Sequence, residues 1–97
     1  MHEFIEIKLI RVAIMLADRL SYRRAAKGLN MTATELREQI AALETQFCIH
    51  IFRPSQKGVE LTEEGKFLIQ AFREAVALHE RTRSAPKRSI PTQVWQR

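Results

Sequence analysis

The side chains spaced for chemistry in this sequence are cations and small polar groups. Within one ten-residue stretch stand Thr32, Ala33, Thr34, Arg37, Glu38 and Ala41. A guanidinium such as that of Arg37 can bridge O6 and N7 of guanine, for about 1–3 kcal/mol of discrimination. The methyl of Thr34 or Ala33 can touch thymine, and the carboxylate of Glu38 can accept from the N4 amine of cytosine. Just upstream, Arg23 and Lys27 are four residues apart and so share a helical face, suited to phosphate oxygens. Downstream, Arg53 and Lys57 flank a turn and suit phosphates or a minor groove. The same residues have a plainer use. Arg37 can pair with Glu38, Glu44 or a phosphate, and a carboxylate at 38 equally suits a surface that meets a protein.

Catalytic chemistry has no comparable footing. His2, His50 and His79 are isolated, and Cys48 is the only cysteine, so no internal disulfide forms. Cys48 is expected as a small packed residue. No Cys/His cluster has metal-ligand spacing, and no nucleophile triad, Gly-rich phosphate loop or carboxylate pair can be assembled. No catalytic residue, metal or cofactor is expected, and the chain reads as a non-enzyme.

The elements that must position the cations follow from periodicity and caps. Residues 5–18 form a helix by period, with Ile7, Ile10, Ile14 and Ala17 as one stripe and further apolar residues around it. Ser21 caps a helix that runs to Leu29, in which Ala25 and Ala26 let a neighbour come close. Asn30 takes the left-handed backbone of the turn. Thr32 caps the next helix, to about Phe47, with Glu35 completing a capping box. Leu36, Ile40 and Leu43 are its inward face, and Ala33, Thr34, Arg37, Glu38 and Ala41 its outward one. A short helix, a sharp turn and a second helix with a polar outer face make a helix-turn-helix. Next comes a hairpin in which Ile49, Ile51, Val59 and Leu61 alternate and residues 54–58 turn, with Pro54 on an edge. Thr62 then caps a helix from about Glu63 to Arg81. Its apolar residues, Phe67, Leu68, Ile69, Ala71, Phe72, Ala75, Val76 and Leu78, cover two adjoining stripes. One small domain cannot easily bury both, and apolar surface of that extent marks an interface.

These motifs, in this order, resemble the N-terminal DNA-binding domain of LysR-type transcriptional regulators. The resemblance runs through S-Y-R-R-A-A-K-G-L-N-M-T at 21–32 and L-R-E-Q-I-A-A-L-E at 36–44. It continues through I-H-I-F-R at 49–53 and V-E-L-T-E-E-G at 59–65. It implies a mainly α fold, a winged helix-turn-helix of three helices plus a two-stranded wing, with a long C-terminal dimerisation helix. The domain plan is then 5–62 for the DNA-binding unit, 63–81 for the linker helix and 82–97 for a flexible basic tail. Double-stranded DNA is the implied partner. The implied assembly is a homodimer through Phe67, Leu68, Ala71, Phe72, Ala75, Val76 and Leu78, with linker helices antiparallel. The sequence departs from the family at three places. Ala33 stands where the family often has Gln, Glu38 where it often has a polar or basic residue, and Pro54 where it often has Arg. It also ends where the family continues into an effector-binding domain, so no small-molecule effector is expected.

The chain has 97 residues and a net charge of +5, with 45% hydrophobic and 28% charged residues. That is one soluble domain's worth of core. No apolar run is long enough to span a membrane, and the acidic start lacks the features of a signal peptide, so a cytoplasmic location is expected. All the excess charge falls in residues 81–97, where Arg81, Arg83, Lys87, Arg88 and Arg97 meet no acid. Residues 1–80 carry 11 basic and 11 acidic residues and are neutral. Net charge is therefore weak support for DNA binding; the local cluster of Arg19, Arg23, Arg24 and Lys27 is the stronger sign. The leading expectation is a dimeric, sequence-specific DNA-binding regulator. Its rival is a protein-interaction module of the same fold that heterodimerises with, or caps, another regulator.

Overall fold

The computed structural model describes residues 6–84 of the chain. It has four helices and one hairpin: α1 (Ile7–Arg19), α2 (Tyr22–Leu29), α3 (Ala33–Phe47), β1 (Phe52–Ser55), β2 (Gly58–Leu61) and α4 (Glu63–Ser84). The mainly helical winged helix-turn-helix expected from the sequence is the fold observed.

Helices α2, α3 and α4 start where a side chain satisfies one of their orphan N–H groups, whereas α1 has no side-chain cap. The Ser21 hydroxyl accepts from the Arg24 N–H at 3.2 Å. Thr32 and Glu35 form the complete capping box, with bonds of 3.0 and 2.9 Å. The Thr62 hydroxyl accepts from the Gly65 N–H at 2.9 Å and donates to the His50 carbonyl at 2.5 Å. It thus ties the start of α4 to the chain leading into β1. Asn30 ends α2 in the left-handed region, at φ 61°. The same device ends α1 at Leu20 and α3 at Cys48, at φ 57° and 60°. Neither residue type favours that region. Cys48 is exposed at this helix end, not packed inside as expected.

The core lies where the four helices and the segment leading into β1 converge. Ala13, Leu16, Ala25, Leu36, Leu43 and Ile51 are fully enclosed. On α1 the most buried residues are Val12, Ala13 and Leu16, while Ile7 and Ile14 of the expected stripe are half-buried. The centre of the buried face is therefore turned from the stripe read off the isoleucines, toward Val12, Ala13 and Leu16.

The wing is shorter at its turn than expected. β1 and β2 pair antiparallel as Phe52↔Leu61, Arg53↔Glu60, Pro54↔Val59 and Ser55↔Gly58, so only Gln56 and Lys57 form the loop. Pro54 and Ser55 belong to the strand, whereas Ile49 and Ile51 precede it. Glu44 holds that approach in place, its carboxylate accepting from the Ile51 and Phe52 N–H groups at 2.7 and 3.1 Å. The outer edge of β2 docks on the body, with the Val59 N–H donating to the Leu20 carbonyl at 3.2 Å. Gly58 makes this possible: its φ is 139°, and a Cβ there would lie 2.5 Å from the Leu20 oxygen.

α4 extends to Ser84, three residues past the expected end. Residues 82–84 are thus helix, not tail; the remainder of the proposed tail, 85–97, lies outside the described residues. Ile69 and Phe72 carry α4 into the core at 3% and 5% exposure. Phe72 packs on Phe47, ring centroids 5.7 Å apart. Two ion pairs, Arg11–Glu80 and Arg73–Asp18, fasten α4 to α1.

Candidate nucleic-acid interface

The helical period of α3 decides which side chains it presents. Leu36, Ile40 and Leu43 are buried, and opposite them Thr34, Glu38, Ala41 and Thr45 are exposed. Ala33, expected on the outward face, is half-buried against the core. The reason is its place: it lies about 60° from the centre of the buried stripe at ~100° per residue, nearer the inside than the crest. Thr32 is exposed, but its hydroxyl is committed to the cap. Thr45 joins the crest and was not singled out from the sequence, although the i+4 repeat from Ala41 points to it.

Arg37 occupies the flank of α3. Its guanidinium lies over the ring of Tyr22, 4.2 Å from the centroid. Neither Glu38 nor Glu44 is its ion-pair partner, since Glu44 is engaged with the backbone of Ile51 and Phe52. Among the described residues, Glu38 makes no ion pair. Tyr22 is half-buried at the start of α2, and desolvation raises its phenol pKa above the ordinary value; Glu44 adds to the rise and Arg37 opposes it. Its hydroxyl is therefore neutral at physiological pH. Sequence reading passed over Tyr22, because nothing local ties it to a residue 15 positions away.

Arg23 and Lys27 are exposed on α2, one turn apart. With Arg19, Arg24 and Lys57, Arg23 lines an open groove of about 1100 Å³ between the α1–α2 corner and the wing tip. Arg19 and Arg24 thus join the basic surface, as the sequence cluster suggested. A second groove, of about 400 Å³, lies between α2, α3 and β1, and Arg23, Arg37 and Arg53 all line it. On the wing, Arg53 faces Glu60 across the strands, Nε to carboxylate 2.6 Å. Its charge is therefore partly offset locally. Lys57, at the loop, has no ion-pair partner among the described residues.

The residues expected to dimerise fall into two groups. Phe72 is part of the protomer's own core, and Leu68 and Val76 are half-buried against it. Phe67, Ala71, Ala75 and Leu78 are exposed along one line of α4, Phe67 at 80% and Leu78 at 58%. Among the described residues, no three His, Cys, Asp or Glu side chains are grouped to hold a metal, and no helix is long and apolar enough to cross a membrane.

Comparison with known proteins agrees with this geometry. Residues 7–66 match the model of the bacterial regulatory helix-turn-helix proteins of the lysR family. The chain is 36% identical over 61 residues to the HTH-type transcriptional regulator BudR of Klebsiella aerogenes, covering 63% of this chain and 43% of that protein. It is 35% identical over 68 residues to the regulator XapR of Escherichia coli (strain K12), covering 70% of this chain and 23% of that one. It therefore spans less than half the length of these relatives. Among solved structures, the complex of the CbnR DNA-binding domain with DNA superposes with a TM-score of 0.76 at 26% identity, over 80% of this chain and 90% of that one. Vibrio fischeri DarR in complex with DNA gives a TM-score of 0.78 at 26% identity, over 84% of this chain and 28% of that one.

Proposed function

Because the chain belongs to the lysR family of bacterial regulatory helix-turn-helix proteins, we propose that it binds double-stranded DNA sequence-specifically, as a homodimer, to regulate transcription. The observation that carries this reading is the crest of α3. It stands clear of the core on a fully satisfied capping box, with basic side chains on α2 and the wing to either side. A helix of that kind enters a major groove, where its crest meets base edges and its neighbours meet phosphates.

In this reading Thr34, Glu38 and Ala41 face the bases, with Thr32 and Ala33 at the leading edge. Arg23, Lys27, Arg37, Lys57 and, more weakly, Arg53 contact the DNA around them. The residues 7–62 act as the DNA-binding unit and α4 as the linker helix. The support for the dimer is the exposed line of Phe67, Ala71, Ala75 and Leu78, apolar surface that the protomer itself does not cover. Two copies of that line pack against each other with two-fold symmetry, which sets two α3 helices on successive half-sites about one helical turn or a multiple apart.

Selection of bound duplexes from a randomised pool tests the proposal. The expected result is enrichment of a motif with two-fold symmetry. Failure to enrich any sequence, with weak binding that vanishes by moderate salt, would refute it. Sedimentation of Phe67→Asp and Leu78→Asp tests the dimer: both variants are expected to be monomeric, and unchanged mass would refute that surface.

A further inference from the structure

Residue type alone nominates Arg37 as the base reader and Glu38 as an anomaly; their placement on α3 argues for the opposite division of labour. Arg37 follows Leu36, which is fully buried, and at ~100° per residue stands on the flank of the helix, next to α2 and the wing. Glu38 is about 200° round from Leu36, on the crest with Thr34, Ala41 and Thr45. When a helix lies in a major groove, its crest meets base edges, while the sugar-phosphate backbones pass along its flanks.

The flank position is also furnished. The Arg37 guanidinium lies over the Tyr22 ring at 4.2 Å. Stacking occupies the face of the guanidinium plane, whereas its five N–H donors point outward from the edge. The ring thus restrains a long side chain without consuming any donor. Arg37 lines the groove of about 400 Å³ between α2, α3 and β1, together with Arg23 and Arg53. Arg53 is opposed by Glu60, but Arg23 and Arg37 have no carboxylate partner among the described residues. Two unneutralised guanidinium groups lining one groove repel each other, and an anionic oxygen cluster between them relieves the repulsion. Glu38, in turn, accepts hydrogen bonds and cannot donate any. On the crest, it matches the exocyclic amine that cytosine presents in the major groove.

We propose that Tyr22 is a positioning residue that holds Arg37, with Arg23, as a clamp on a backbone phosphate, and that Glu38 is the side chain selecting a base, a cytosine in each half-site. The inference rests on the DNA-binding reading above and assigns roles within it.

Two measurements on the full chain test it: selection from a randomised duplex pool, and salt titration with one mixed-sequence duplex. Arg37→Ala is expected to weaken binding about tenfold to every duplex alike. It should lower the slope of log K against log salt by about 0.9 per protomer and leave the selected motif unchanged. Tyr22→Leu should give a smaller uniform loss, about two- to fivefold, while Tyr22→Phe, which keeps the ring, retains wild-type binding. Glu38→Gln should change the preferred base at one position per half-site without lowering the salt slope. Circular dichroism establishes that each variant is folded; should Tyr22→Leu fail to fold, Arg37→Ala still decides the assignment. A motif that loses one position on Arg37→Ala, at unchanged salt slope, overturns the clamp. A motif indifferent to Glu38→Gln overturns the base assignment. Absence of any wild-type enrichment overturns the DNA-binding reading itself, a result distinct from both.

Discussion

Gly65, in the first turn of α4, lies directly against the Ile51 backbone, and replacing it with alanine sets two effects of opposite sign against each other. In a helix interior alanine is favoured over glycine by about 1 kcal/mol. Yet a Cβ at 65 would lie 2.2 Å from the Ile51 carbonyl oxygen, and 2.9 and 3.0 Å from the Ile51 carbonyl carbon and Cα. All three atoms are backbone, so no side chain can rotate away. The contact is roughly 1.3 Å inside a normal separation of ~3.5 Å, which places the cost in the overpacking range of about 1–3 kcal/mol. The Ile51 carbonyl also accepts from the Thr62 N–H at 3.0 Å, so a shift to relieve the clash weakens that bond, for a further ~0.5–1.5 kcal/mol. The net expectation is a loss of about 2 kcal/mol, or roughly 8–16 °C in Tm for a domain of this size. Gly28→Ala is the internal control. Its Cβ would meet only the flexible ends of Met15, 3.4 Å away, and Arg19, 3.9 Å away, so the helix-propensity gain should appear nearly whole. Urea unfolding followed by circular dichroism measures both variants, over a series of protein concentrations because association shifts apparent stability. A Gly65→Ala midpoint at or above wild type would refute the close-approach argument.

Other consequences follow from the caps and the charge pairs. Thr62→Val removes the acceptor for the Gly65 N–H and the donor to His50, and should cost about 1–2 kcal/mol in the same unfolding assay. The Glu80 carboxyl is held below the ordinary carboxylate range, first by its hydrogen bond from Arg11 and then by the charge of that arginine. A lowered folded-state pKa contributes stability above the unfolded value and loses it as pH falls through the folded one. Carboxyl NMR titration should show that depressed midpoint, and Arg11→Gln should return it toward the ordinary value. Tyr22 is expected to titrate above ordinary tyrosine, owing first to burial, by ultraviolet absorbance. Because Arg37 opposes that rise, Arg37→Ala should move the Tyr22 midpoint further up.

Much of the candidate site was legible because its determinants lie within one or two helical turns. The Thr32–Glu35 capping box, the left-handed Asn30 and the Leu36, Ile40, Leu43 stripe each depend on residues three to seven positions apart. Hydrogen-bond reach and the 3.6-residue period fix them whatever surrounds them. Pro54 and Gly58 signal a turn in the sequence, but both lie in the strands that flank it, and the loop is Gln56 and Lys57 alone. Glu44 and the Leu20 carbonyl, neither of them in the wing, set where the hairpin begins and how β2 docks.

Local pattern and long-range packing part company most clearly on α3 and α4. Residue spacing alone places two apolar stripes on α4 and a polar outer face bearing Thr34, Arg37, Glu38 and Ala41 on α3. Packing between elements turns Phe72 inward onto Phe47 and leaves Phe67 and Leu78 exposed. The same packing sets Arg37 against Tyr22, a contact that no spacing along the chain reveals. Periodicity gives the angle of one side chain relative to another on the same helix. Which way the helix is rotated toward its neighbours depends on how all the elements close-pack together, and that is where the roles of Arg37 and Glu38 separate.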